Sequence, residues 1–214
     1  MPKDYDELWV LGDLVNYGPN PAEVVDYIRS QATLTIQGNH DYAVGNDQKP
    51  RCSARFLPMA EATQRFTVRV LNRSQKRFLR DLPSTMCREV GGTVFFLCHA
   101  TPSDPLFEYR TVDSAAWEFD EEIFSGAHAV LVGHTHQQFL RDFGGWTLVN
   151  PGSLGQPKMG DPRARYALWI DGKIELRSFE YPFESTIAKL HSMGLPSSIT
   201  NDLEVVLKTG SLSK

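Results

Sequence analysis

Cysteine is scarce in this chain: three among 214 residues, with no CxxC pair. Cys52, Cys87 and Cys98 cannot all be bridged, which excludes a disulfide scaffold and a cysteine-rich zinc site and fits a reducing, cytoplasmic setting. Long apolar runs are missing too. None approaches the ~20 residues needed to span a bilayer, and Met1-Pro2-Lys3-Asp4 is no signal peptide, so the expectation is a soluble chain with no membrane partner. Basic charge is also short, with 22 Lys and Arg against 26 Asp and Glu. A net charge of −4 offers no basic surface for specific nucleic-acid binding. Repeats, low-complexity segments and linkers are absent as well. At about 150 residues per domain, residues 1–214 read as one domain, with C-terminal helices from about 183. The balance of 41% hydrophobic and 22% charged residues excludes global disorder.

What is present is a series of apolar strands that each end in polar loop residues. Leu8-Trp9-Val10-Leu11 runs into Gly12-Asp13. Asn20 is placed to cap a helix, with Pro21 in its first turn and Val24, Val25 and Ile28 on its buried side. Leu34 to Gln37 is a second strand and runs into Gly38-Asn39-His40-Asp41. Strand, helix, strand with this polarity is a βαβ unit, so the two strands should be parallel with both loops at one sheet edge. Residues 53–72 read as helical with Pro58 near the start, and Ser74 as the cap of a further helix carrying Phe78, Leu79 and Leu82.

Three hairpins follow: 85–90 with 93–98 across Gly91-Gly92, 138–143 with 146–149 across Gly144-Gly145, and 166–170 with 174–179 across Asp171-Gly172. Between the first two, 113–124 reads as an acidic helix, and Ala129 to Val132 as a strand. His99 follows one strand and Gly133-His134-Thr135-His136 follows another. Gly194 is the expected cap of a C-terminal helix. Cys98 points away from its neighbour His99 by strand alternation. Trp9, Trp117, Trp146 and Trp169 read as core, and Arg163 and Arg165 as solvated surface.

Four strand ends therefore present Asp13, Asn39 with His40 and Asp41, His99, and His134 with His136. A carboxylate, an amide oxygen and imidazoles form a mixed O/N ligand set. Such a set suits Mn, Fe, Co, Ni or Zn and disfavours Mg or Ca alone. Asp13 could bridge two ions through its two oxygens, and His134 and His136 could each face a different one. Two divalent ions held this way can turn a bridging water into a hydroxide nucleophile.

The ordered motifs GD (12–13), GNHD (38–41), H (99) and GHTH (133–136) resemble the calcineurin-like metallophosphoesterase superfamily. YGPNP after the first motif and NPGSLGQP after the last are similar to its small bacterial and archaeal phosphodiesterase branch. The resemblance, from Leu8 to about Glu180, implies an α/β fold of two packed mixed β-sheets flanked by helices. It implies that Asp13 bridges two metals, that Asn39, His99 and His134 complete one, and that His136 belongs to the other. It further implies that His40 faces the scissile phosphate, oriented by Asp41. Manganese is the first expectation for the metal, with small phosphodiesters or nucleotides as substrates.

Two departures qualify it. Family members open with a strand ending in Asp-x-His that completes the first metal. Here seven residues precede the Leu8 strand and none supplies that pair, so the first strand is expected to be absent and the first metal keeps only Asp13 and His136. A truncated enzyme, a reduced site and a non-catalytic scaffold of the same fold all stay open at this level. The second departure is Asn16-Tyr17-Gly18, where dinucleoside-tetraphosphate hydrolases of the superfamily have Asp-Arg-Gly. Loss of that cation tilts the expectation toward phosphodiesters.

Overall fold

The chain begins its ordered structure with a short parallel pair. Strands β1 (Trp9–Val10) and β2 (Leu34–Thr35) pair Trp9 with Leu34 and Val10 with Thr35, joined by helix α1 (Pro21–Gln31). The expected βαβ unit is therefore present. The structure is a computed structural model and describes residues 4–212. Asn20 precedes α1 without capping it; its amide donates instead to Glu23 Oε1 at 2.8 Å.

Three helices follow on the outside: α2 (Asn39–Gly45), α3 (Leu57–Val70) and α4 (Arg73–Asp81). The GNHD segment, read as a loop, is the first turn of α2. The cap of α4 is Asn72 rather than Ser74: Asn72 Oδ1 accepts from Gln75 N at 3.0 Å and Gln75 Oε1 accepts from Asn72 N at 2.9 Å. This reciprocal box satisfies two backbone donors that Ser74, one position inside the helix, could not reach. Leu14, Val15, Val25, Val44, Leu71 and Leu79 form the core beneath these helices.

The centre is a five-stranded mixed sheet in the order β3-β4-β5-β7-β6, formed by β3 (Thr85–Val90), β4 (Thr93–Cys98), β5 (Ala129–Leu131), β6 (Phe139–Asp142) and β7 (Thr147–Asn150). Pairs β4–β5 and β5–β7 are parallel, and the two hairpins at the edges are antiparallel. Strand alternation divides the side chains. Phe95 and Leu97 of β4 face one layer with Ile36 and Ala129, while Phe96 and Cys98 face the other with Val130, Leu148 and Trp146. Hairpin β8 (Ala164–Ile170) and β9 (Lys173–Phe179) covers the first face. The Phe95 ring meets Trp9 and Trp169 edge-on, each at 5.0 Å, so the β1–β2 pair and the β8–β9 hairpin lie on the same side of the central sheet. The expected two packed layers are present, one of them made of these two separately bonded pairs.

Elsewhere the expectations need adjusting. The 113–124 helix shrinks to one turn, α5 (Ala116–Phe119), because Arg110 ties the segment down by pairing with Glu108 and with Asp120 at 2.5 Å. At the C-terminus, α6 (Glu184–His191) and α7 (Ser197–Thr209) pack on α3 through Met59, Ile187, Leu190 and Leu203. The left-handed glycine that ends a helix is Gly210 at φ +67, not Gly194, which lies beyond the Ser192 cap of α6. No helix among the described residues is long and apolar enough to cross a membrane.

Candidate metal centre

Parallel strands deliver their following loops to one edge, and four loops meet here. Gly12 and Gly38 let two of them touch: a Cβ on Gly12 would sit 2.7 Å from Gly38 Cα. Asp13, Asn16, Tyr17, His134 and His136 all hold positive φ, a conformation that non-glycine residues keep only where the surroundings enforce it. Asp41 enforces it at the first loop. Its carboxylate accepts from Asp13 N at 2.7 Å, Leu14 N at 2.9 Å and Gly38 N at 3.0 Å, binding the first two loops together.

The donor atoms then converge. Asn39 Nδ2 donates to Arg51 O at 2.7 Å, which turns Asn39 Oδ1 toward the histidines. That oxygen lies 3.1 Å from His99 Nε2 and 3.0 Å from His134 Nδ1, and Asp13 Oδ2 lies 3.3 Å from His99 Nε2. Ligand atoms of Asp13, His99 and His134 all fall within 4.8 Å of one another. His99 Nδ1 donates to Leu11 O at 2.5 Å, directing Nε2 at the cluster. The other nitrogen of His134, Nε2, is buried without a hydrogen-bond partner. Two acceptor oxygens facing imidazole nitrogens in a buried pocket repel one another unless a cation or proton lies between them. This donor set fits a divalent transition metal.

The electrostatics agree. Burial pushes the Asp13 carboxyl up, but His99 and His40 outweigh it and hold it well below the usual range. Burial pulls His99 down, yet the Asp13 charge and the bonds to Asp13 and Leu11 win and raise it. Metal binding at His99 Nε2 requires the neutral ring, so a raised His99 makes protons compete with the metal. Burial lowers His134 to about 3, keeps His136 well below its ordinary value, and lowers His40. Burial and Asp13 raise Asp41 to about 7 against its three N–H bonds.

A pH dependence follows. A histidine whose folded value is depressed stabilises fully above the unfolded value near 6.5 and loses that contribution as pH falls below it. Three depressed imidazoles outnumber the raised His99 and Asp41, so the unfolded chain binds more protons between pH 5 and 6.5. Thermal unfolding of the metal-free protein should show little slope near pH 6.5 and a steepening loss toward pH 5, reaching up to about 3 kcal/mol per pH unit. A flat or rising profile would contradict the burial of neutral imidazoles.

His136 stands apart from the convergent group. Its Nδ1 donates to Gln156 O at 2.8 Å, which leaves Nε2 to face the cleft. His40 lies beside the cluster, its backbone N donating to Asp13 Oδ1 at 3.1 Å. The partner of its ring is Asn16, whose Nδ2 lies 3.0 Å from His40 Nδ1, and Tyr17 packs edge-on against it at 4.9 Å. Where the resemblance implies that Asp41 orients His40, the Asp41 oxygens accept from three backbone N–H groups and the ring meets Asn16. Tyr17 points its hydroxyl at Cys52 Sγ, 3.8 Å away, and packs against the α3–α6–α7 core.

Some residues around the centre gave no functional signal in the sequence. The Tyr109 ring lies on His134 at 3.9 Å. Half-buried Lys158 reaches the centre from the loop after β7; burial pulls its ammonium down to about 8, while Asp13 and Cys52 oppose the shift. Arg165 is buried on Asp161 rather than solvated.

Comparison with known proteins agrees with this geometry. Residues 2–171 match the calcineurin-like phosphoesterase superfamily domain. A metallophosphoesterase from Sphaerobacter thermophilus is 30% identical and superimposes with a TM-score of 0.75, over 94% of this chain and 89% of that one. An uncharacterised protein of Methanocaldococcus jannaschii is 29% identical over 208 residues, 89% of this chain and 82% of its own length. A symmetrical bis(5'-nucleosyl)-tetraphosphatase of Aeromonas salmonicida is 26% identical over 196 residues, 85% of this chain and 64% of that protein. With the ligand-bearing loops inside the matched span, the chain belongs to the calcineurin-like phosphoesterase superfamily.

Proposed function

We propose that this protein is a metal-dependent phosphoesterase that hydrolyses small nucleotides or phosphodiesters. The observation that carries the proposal is the convergence of Asp13 Oδ2, Asn39 Oδ1, His99 Nε2 and His134 Nδ1 beside His40. These four residues would hold one divalent ion, and Asp13 with His136 would serve a second. Manganese suits the mixed O/N set best, with Fe, Ni, Co or Zn compatible. Bound divalent ions supply an activated water at neutral pH and neutralise phosphoryl charge. Free Cys52, Cys87 and Cys98 fit work in the cytoplasm.

The chain itself does the rest. Asn16 meets the Nδ1 side of the His40 ring and so aims Nε2 at the site, where its proton can pass to the leaving oxygen. Giving that proton up requires the imidazolium form, since a neutral imidazole would be left as imidazolate. Asp41 is a positioning residue that clamps the Asp13 loop to α2.

Hydrolysis of bis(p-nitrophenyl) phosphate and of diadenosine tetraphosphate by the Mn²⁺-loaded chain, abolished by chelator, is the expected result. Absence of turnover in a folded, metal-loaded sample would overturn the proposal. His40→Ala should retain metal binding by calorimetry and lose about 10²–10⁴ in kcat, the usual weight of a general acid. Full activity in that variant would remove His40 from the chemistry.

A further inference from the structure

Lys158 lies in a loop pinned at both ends. On one side Gln156 O accepts from His136 Nδ1 at 2.8 Å, and Gln156 N donates to Ser153 Oγ at 3.1 Å. On the other, Met159 Sδ accepts from Gln138 N at 3.1 Å, and Gly160 N donates to Gly210 O at 3.1 Å. The backbone of Lys158 is therefore fixed beside the second histidine of the GHTH motif. Its ammonium sits 4.5 Å from the centre of the Phe56 ring, at the start of α3. The charge of that ammonium acts on Asp13, His40, His134 and His136, the side chains gathered at the metal centre.

Among the described residues no carboxylate forms an ion pair with Lys158, and no hydrogen bond holds its Nζ. Nearby arginines are engaged: Arg165 with Asp161, Arg110 with Glu108 and Asp120, and Arg51 over the Phe107 ring. A half-buried ammonium held over an aromatic face without a counter-ion is costly unless a ligand supplies the anion. The first loop cannot serve as that cation, because Tyr17 stands there with its hydroxyl turned to Cys52. The cation comes instead from the opposite rim.

We propose that Lys158 binds an anionic oxygen of the substrate beyond the one held at the metal centre. It thereby selects substrates carrying two or more phosphate charges over singly charged diesters. This inference rests on the phosphoesterase reading and names the substrate class of that same site. It restores, from another loop, the cation whose loss at Asn16-Tyr17-Gly18 tilted the expectation toward phosphodiesters. Lysine suits the task as a compact point charge that accepts varied phosphate geometries, without the bidentate demand of arginine.

The test uses the full-length Mn²⁺-loaded protein with inorganic pyrophosphate as the probe in calorimetry. Lys158→Met, which keeps the aliphatic stem, should weaken pyrophosphate binding at least about tenfold, and Lys158→Arg should restore most of it. In turnover, Lys158→Met should cost about tenfold more in kcat/KM on diadenosine tetraphosphate than on bis(p-nitrophenyl) phosphate, with the difference in KM. Lys158→Gln repeats the test should the Met variant fold poorly. Pyrophosphate binding unchanged in these variants, no binding by the wild type, or equal losses on both substrates would overturn the inference. Lys158-dependent pyrophosphate binding by a chain that hydrolyses nothing would instead retain the anion site and overturn the proposed activity.

Discussion

Asp13→Asn is expected to lose tight metal binding and to lower metal-dependent hydrolysis by roughly 10³-fold or more, equivalent to about 4 kcal/mol of transition-state stabilisation. Both carboxylate oxygens are in use. Oδ2 faces His99 Nε2 at 3.3 Å, and Oδ1 accepts from His40 N at 3.1 Å. An amide keeps one acceptor but places an NH₂ on the other side and removes the negative charge. That charge holds His99 up and offsets the cation in the centre. The variant should fold, because the backbone N of residue 13 remains bonded to Asp41. Metal content after dialysis and the rate with added Mn²⁺ check the expectation. Retention of stoichiometric metal with activity within tenfold of wild type would remove Asp13 from the ligand set.

Gly38→Ala, a change of a single methyl group, should be strongly damaging. A Cβ there would overlap Asp13 N and Oδ1 and come within 2.9 Å of Asp13 Cγ. Nothing in that contact can give way cheaply. Asp13 N is held by Asp41, Gly38 N is held by the same carboxylate, and Asp13 already sits at φ 58. Overpacking of this kind costs about 1–3 kcal/mol in ordinary cores, and displacing Asp13 adds the loss of the metal centre. Urea unfolding should show a loss of at least about 3 kcal/mol, accompanied by loss of metal binding. A Gly38→Ala protein of wild-type stability and metal affinity would show that the two glycine loops do not interlock as described.

These two expectations separate what local sequence encodes from what chain crossing creates. Asp13, Asn39, His99 and His134 were legible because each follows an apolar strand, and parallel strands deliver their ends to one edge. The βαβ unit, the hairpins and the burial of Cys98 away from His99 follow from the same short-range rules of period and turn chemistry. Boundaries were less legible where a side chain from elsewhere decides them. Gln75 selects Asn72 as the cap of α4, and Arg110 breaks the 113–124 segment into a single helical turn.

The assignment of partners within the site lay wholly beyond sequence reading. Adjacency of His40 and Asp41 invites pairing them, yet successive residues at the start of a helix point about 100° apart, so their side chains meet different neighbours. His40 turns to Asn16, 24 positions away, and Asp41 turns to the backbone of the first loop. Lys158 carries no motif of its own, and the bonds from His136 to Gln156 and from Gln138 to Met159 fix its loop beside the GHTH segment. By itself, then, the sequence determined which residues reach the metal edge, since strand periodicity and loop chemistry are local. Only the tertiary structure decided which of them touch and which loops lie beside them, because those contacts join segments 20 to more than 100 residues apart, whose meeting depends on how the loops interlock.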